Sequence, residues 1–265
     1  MTIEQPFAGK IALVTGSGRG LGKAAALHLA RQGADIVVNF FRNREPAEAV
    51  AREIKALGRK ALVVKAHVGT DQGLDELFDR TASYYGGLDI LVSNAASGYN
   101  RPALEQKPRG WDWTMNINAR SLLFAAQRAV PLMASRGGGA IVAISSPGAR
   151  RVLPDYVVVG ASKAALEAIV RYLAVELSPM NIVVNGISPG IVETEALQNF
   201  DLIRSDDDLI ERSIRHTPAG RMVTPGDVAS LIGFLCSPEA FMIRGQIIVI
   251  DGGYMLPVPG VLPEM

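Results

Sequence analysis

The chain is poor in cysteine and histidine, has no long apolar run and carries almost no net charge, and each shortage excludes something. Its one cysteine, Cys236, has no partner for an internal disulfide and suits a reducing compartment, so a cytoplasmic protein is expected. His28, His67 and His216 stand far apart without metal-ligand spacing, and no metal site is expected. Lys and Arg number 27 against 26 Asp and Glu, a net charge of +1. That balance argues against a nucleic-acid or membrane-binding surface. No apolar stretch approaches the roughly 20 residues of a membrane span. The opening MTIEQPFAGK has neither the basic start nor the apolar run of a secretion signal. What is present is a 48% hydrophobic composition over 265 residues, enough for one large core. With no repeat, linker or low-complexity run, residues 1–265 read as a single domain.

Short β-rich apolar runs alternate with helical spacing along the chain. KIALVT (10–15), DIVVNF (35–40), ALVVKA (61–66), LDILVSNAA (88–96), AIVAISS (140–146), NIVVNGI (181–187) and QIIVID (246–251) read as strands. Their nearly continuous apolar character suits strands covered on both faces. The alternation predicts an α/β fold, a seven-stranded parallel sheet with helices on both faces. A long helix is expected from Trp111 to Ser135, stopped by GGG at 137–139, and another from the Tyr156 region to Pro179. Residues 193–225 mix apolar and charged side chains without a strand pattern, which fits a substrate lid or an ordinary surface helical pair.

Thr15 to Gly22, TGSGRGLG, lies between a strand and a helix, the setting in which a glycine turn binds a nucleotide. Gly16 permits the tight turn, Gly20 lets the backbone approach a diphosphate, and Gly22 lets the helix pack closely. Ser17 and Leu21 complete the turn, whose following helix N-terminus would face the phosphates. At the end of the second strand, where NAD binders carry an acid, stand Asn39 and then Phe40 to Arg44, with no acid before Glu45. Arg19 and Arg42 are placed to clamp a 2′-phosphate, which favours NADPH; each is also readable as a solvated surface charge.

Tyr156 and Lys163 are seven residues apart, two helical turns, so on one helix their side chains differ by roughly 20° in direction. A lysine beside a phenol is expected to lower its pKa and make it a usable proton donor. Read alone, the pair is more readily a helix cap and a solvated charge. Trp111 and Trp113 read as helix-packing aromatics.

TGSGRGLG, SNAA (93–96), Asn118 in MNIN, ISS (144–146), the tyrosine and lysine, and SPGIVET (188–194) together resemble the short-chain dehydrogenase/reductase family over nearly the whole chain. The resemblance implies a single-domain Rossmann, doubly wound fold, a homotetramer, and hydride transfer from nicotinamide. It places Asn94, Ala95 and Ala96 beside the cofactor, His67 and Val68 near the adenine, and Lys163 on the nicotinamide ribose. Pro189, Gly190 and Ile191 with Thr194 would wall the nicotinamide. His67 stands where the family often has an acid, and packing or hydrogen bonding there is expected rather than catalysis. Ser146 takes the substrate-orienting position, as an oxyanion-side donor or a structural strand-end serine; Ser145 beside it leaves open which one faces the site. Asn118 is either a helix-kink residue or part of a proton relay.

The family's usual tyrosine position, four residues before the lysine, holds Val159. The resulting Tyr-x6-Lys spacing, with NAASG, WDWTMNINA, TPAGRM and MIRGQ, resembles the NADPH-dependent type III enoyl-acyl-carrier-protein reductases. This resemblance implies reduction of a trans-2-enoyl thioester in fatty-acid or related acyl biosynthesis, with the substrate expected on acyl-carrier protein and coenzyme A left open as the carrier. Arg101, Arg109, Arg150 and Arg151 fall in loops where such an acidic carrier would dock. A ketoreductase acting on a 3-oxoacyl or polyketide-like carbonyl is the alternative, and a non-catalytic NADPH-binding scaffold the second.

Overall fold

The computed structural model describes residues 5–193 and 209–256. Thr194 and residues 194–208 of the expected lid lie outside them. The strands are β1 (Ile11–Val14), β2 (Asp35–Phe40), β3 (Ala61–Lys65), β4 (Ile90–Ser93), β5 (Gly139–Ile144), β6 (Ile182–Pro189) and β7 (Ile247–Ile250). They form one seven-stranded sheet in the order β3-β2-β1-β4-β5-β6-β7, and every pairing is parallel. Helices follow as α1 (Gly20–Arg31), α2 (Arg44–Ala56), α3 (Asp71–Tyr85), α4 (Pro108–Met115), α5 (Ser121–Ala134), α6 (Val157–Glu176), α7 (Leu209–Arg215) and α8 (Pro225–Cys236). The expected Rossmann architecture is present.

Strand periodicity builds two cores. Ala12, Val14, Ile36, Val38, Ile90 and Val92 point to the face covered by α1, α2 and α8. Leu13, Val37, Leu91 and Ile141 point to the opposite face, against α3, α5 and α6. Successive strand side chains face opposite ways, so an unbroken apolar strand feeds both layers. The starts of α3 and α8 are fixed by caps: Thr70 Oγ1 accepts from Gly73 N, and Thr224 with Asp227 forms a reciprocal capping box.

The helix expected over 111–135 differs in detail. It begins at Pro108 and is interrupted by a π-helical turn, Asn116–Arg120, before α5. The α6 helix also begins later than expected: Tyr156 is its N-cap (φ −106, ψ 10), so Lys163 is helical and Tyr156 is positioned by the preceding loop. Among the described residues no helix is long and apolar enough to cross a membrane.

Candidate active site

The strand order reverses between β1 and β4, and the crevice beyond their carboxyl ends is where open α/β sheets bind ligands. The glycine turn sits there. Gly16 and Gly20 have φ of +64 and +54, a region that disfavours side chains. A Cβ on Gly22 would strike the Gly16 carbonyl and the Asn94 amide. No side chain caps the start of α1. This bare cradle fits the diphosphate of a dinucleotide, with Gly16 to Gly22 around it.

Below the turn, polar side chains are consumed in holding it. Asn39 Oδ1 accepts from Gly16 N at 3.1 Å, and its Nδ2 donates to Ala66 O at 3.1 Å. Ser17 Oγ donates to Val14 O and accepts from Asn39 N. Asn39 is 2% exposed. This side chain is spent on shaping the turn. Thr15 Oγ1 accepts from Asn94 N and Ala95 N, and Asn94 Nδ2 donates to Thr15 O at 2.9 Å, which ties β1 to β4. Arg19 and Arg42 are exposed, and no carboxylate pairs with either among the described residues.

The His67 ring lies between Phe41, at 4.3 Å between centroids, and Trp113, at 4.8 Å. Burial, with Arg42 nearby, holds its pKa below the ordinary value, so the ring is neutral near pH 7. Trp113 also donates from its indole N–H to Ser97 Oγ at 2.9 Å. The buried Val68 follows His67.

Ser145 and Ser146 take opposite directions, as neighbours leaving a strand should. Ser145 Oγ donates to Glu167 at 2.9 Å in the interior. Ser146 Oγ lies 3.5 Å from the Tyr156 hydroxyl and accepts from Gly148 N. Ser146 is thus the serine that meets the tyrosine. Lys163, buried, donates from Nζ to Ile144 O at 2.7 Å. Burial lowers its pKa to about 8.

Burial raises the Tyr156 phenol pKa, and the hydrogen bond with Ser146 offsets this only in part. The expected lowering by Lys163 is corrected: desolvation of the phenolate dominates. A raised pKa keeps the proton on the phenol, the form a donor requires.

Asn118, 1% exposed, sits in the π turn. Its Oδ1 accepts from Ser97 N at 2.8 Å, while its Nδ2 donates to Ser97 O and to Ser162 Oγ, each at 2.9 Å. These bonds tie the β4–α4 loop to α6 beside Lys163, a positioning role. Pro189 ends β6, and Gly190 N donates to Ile250 O. Ile191 O accepts from Val223 N. Ala96 is exposed beyond β4.

Arg150, half-exposed, is engaged within the chain. Its Nε bonds the buried Glu167 carboxylate at 2.9 Å, and this pair with Ser145 braces the loop carrying Ser146 and Tyr156. Ser97 and Glu167 carry no role in the sequence reading; Ser97 is signalled only by following the SNAA run, and Glu167 by nothing local.

Residues 16–255 match the family model described as Enoyl-(Acyl carrier protein) reductase. The chain is 37% identical over 250 residues to the 1-cyclohexenylcarbonyl-CoA reductase of Streptomyces collinus, covering 94% of this chain and 88% of that one. A 7α-hydroxysteroid dehydrogenase complexed with NADH and 7-oxo glycochenodeoxycholic acid superimposes with a TM-score of 0.89 at 35% identity, covering 94% of this chain and 96% of that one. The L-sorbose reductase of Gluconobacter frateurii, complexed with NADPH and L-sorbose, gives 0.90 at 31% identity, covering 97% and 100%.

Proposed function

Since the chain belongs to the short-chain dehydrogenase/reductase family and is an oxidoreductase of that family, we propose that it reduces the 2,3 double bond of trans-2-enoyl thioesters with NADPH. The observation that carries this reading is the exchange at the start of α6. Val159, 7% exposed, occupies the position four residues before Lys163 and has no proton to give. The phenol stands instead at the helix cap, Tyr156, beside Ser146. Carbonyl reduction needs a donor next to the carbon that receives hydride. In a conjugated thioester, hydride adds to the β-carbon while charge gathers on the thioester oxygen, further away, and a donor moved about one turn along serves that oxygen.

When bound, the nicotinamide cofactor supplies the hydride. Gly16 to Gly22 would hold its diphosphate and Lys163 its ribose. Ala95, Ala96, Pro189, Gly190 and Ile191, with Thr194, would border its nicotinamide half, and His67 and Val68 its adenine. Tyr156, kept protonated by burial, donates toward the enolate oxygen with Ser146 orienting its hydroxyl. The Streptomyces relative supports the same substrate class, since a 1-cyclohexenylcarbonyl group carries its double bond on the carbon attached to the thioester carbonyl. Carbonyl reduction is the competing reading, favoured by the neighbour whose ligand is a 7-oxo compound. NADPH oxidation with crotonyl thioester and none with acetoacetyl thioester is the expected result; the reverse would overturn the proposal.

The choice of NADPH rests on Arg19 and Arg42. Replacing both with Ala should weaken NADPH binding about tenfold or more and leave NADH binding nearly unchanged, because a charge-assisted contact contributes roughly 1.5–3 kcal/mol. Equal losses for the two cofactors in a fluorescence titration would remove the assignment.

A further inference from the structure

Some described cations of this chain are held in ion pairs, Arg120 with Asp71, Arg128 with Asp75, Arg136 with Asp89, Arg150 with Glu167 and Arg221 with Asp227, and others are not. Four of those without an ion pair gather at one place. Arg42, Arg101, Lys107 and Arg109 line a cleft of about 460 Å³ together with Tyr99 and Trp113, and no carboxylate lines it. None of the four has an ion pair among the described residues. In a protein of net charge +1, gathering unpaired cations around one concavity costs self-repulsion that a bound anion removes.

The walls are built rather than incidental. Arg101 stacks over the Tyr99 ring at 5.4 Å, and Tyr99 packs on Gly110, where any Cβ would strike its hydroxyl. Gln106 Nε2 donates to Arg101 O at 2.7 Å, and Arg101 N donates to Asp155 O at 2.9 Å. The last bond fastens this wall to the residue before Tyr156, so the cleft adjoins the candidate site. Gly98 is pressed against Val159, which brings the same loop onto the first turn of α6.

We propose that Arg101, Lys107 and Arg109 bind the phosphate at the end of the substrate's pantetheine arm, with Tyr99 and Trp113 as the apolar walls along which the arm runs. This rests on the enoyl-thioester reading. Arg42 marks the boundary with the cofactor's adenosine. The phosphate chemistry is shared by coenzyme A and by a carrier protein's prosthetic group. Guanidinium and ammonium donors suit it, and their charge would make binding salt-sensitive.

The test is calorimetric titration of coenzyme A, 4′-phosphopantetheine and unphosphorylated pantetheine into NADPH-saturated protein. The phosphorylated ligands should bind at least tenfold more tightly than pantetheine. The Arg101→Ala/Lys107→Ala/Arg109→Ala variant should lose that preference while keeping its NADPH affinity, and the charge-preserving Lys107→Arg/Arg109→Lys variant should retain it. Coenzyme A binding well above 4′-phosphopantetheine would identify the nucleotide-bearing carrier; equal binding would identify the protein-borne arm. No preference for phosphate, or an equal loss of NADPH binding in the triple variant, would overturn the proposal. Failure of the enoyl reading would appear separately, as absent NADPH oxidation with crotonyl-coenzyme A while phosphate-dependent binding persists.

Discussion

Tyr156→Phe is expected to lower kcat on an enoyl thioester by about 10²–10³ and to leave NADPH affinity almost unchanged. Losing a donor used mainly in the transition state costs roughly 3–4 kcal/mol of barrier. The fold should tolerate the change, because the hydroxyl's neighbour, Ser146 Oγ, also accepts from Gly148 N and keeps that bond. Adding Val159→Tyr to this background should not restore the rate. Its hydroxyl would leave from the first turn of α6, packed against Gly98, rather than from the cap. The double variant should instead gain a trace of carbonyl reduction. Steady-state kinetics on the two thioesters decide the matter: near-normal enoyl reduction by Tyr156→Phe would make the tyrosine structural.

Lys163→Met should abolish reduction and change how stability responds to pH. Burial takes the lysine from its ordinary 10.5 to about 8, which corresponds to roughly 3 kcal/mol of unfavourable charge burial when the amine is protonated. Below about pH 8 folded and unfolded chains both hold the proton, and the penalty is present in full. Between about 8 and 10.5 the folded protein has shed it while the unfolded chain has not, so stability rises with pH through that window. The wild type should therefore gain up to about 3 kcal/mol relative to Lys163→Met as pH rises across it. The variant gives up the Lys163 bond to Ile144 O, which contributes an offset that does not depend on pH in this manner. Denaturant melts at pH 7 and pH 10 measure the difference. Parallel pH dependences would mean that the buried amine does not titrate in this window.

The strands were legible in the sequence because parallel strands covered on both faces carry unbroken apolar runs, as IALV and DIVVNF do. The glycine turn was legible from its setting, and the Tyr156–Lys163 spacing from the pair itself. The polar scaffold was not. Asn39 reads as a residue at the cofactor's edge, yet its amide is spent on Gly16 and Ala66, partners brought close only by β2 lying between β1 and β3. Glu167 looks like a solvated helix charge until the packed loop brings Ser145 and Arg150 to it. The effect of Lys163 on the phenol was misjudged because spacing carries direction but no information on desolvation. The cation cleft was half visible: Arg101 and Arg109 stand out in the sequence, while Lys107 and the bond from Arg150 to Glu167 depend on tertiary contacts.

The π turn at Asn116–Arg120 makes chain length, as well as side-chain identity, a condition of this site. Such a turn is equivalent to one surplus residue in an α-helix. Deleting a single residue from α4 ahead of Asn118 would let the helix close into ordinary α geometry, at no loss of hydrophobic content. Asn118 would then swing by about 100° away from Ser97 and Ser162. In a lineage of such proteins, frame-preserving deletions there would be purged while many substitutions on the exposed side of α4 drifted freely. The helix works as a ruler whose count cannot be altered without misaligning what it measures.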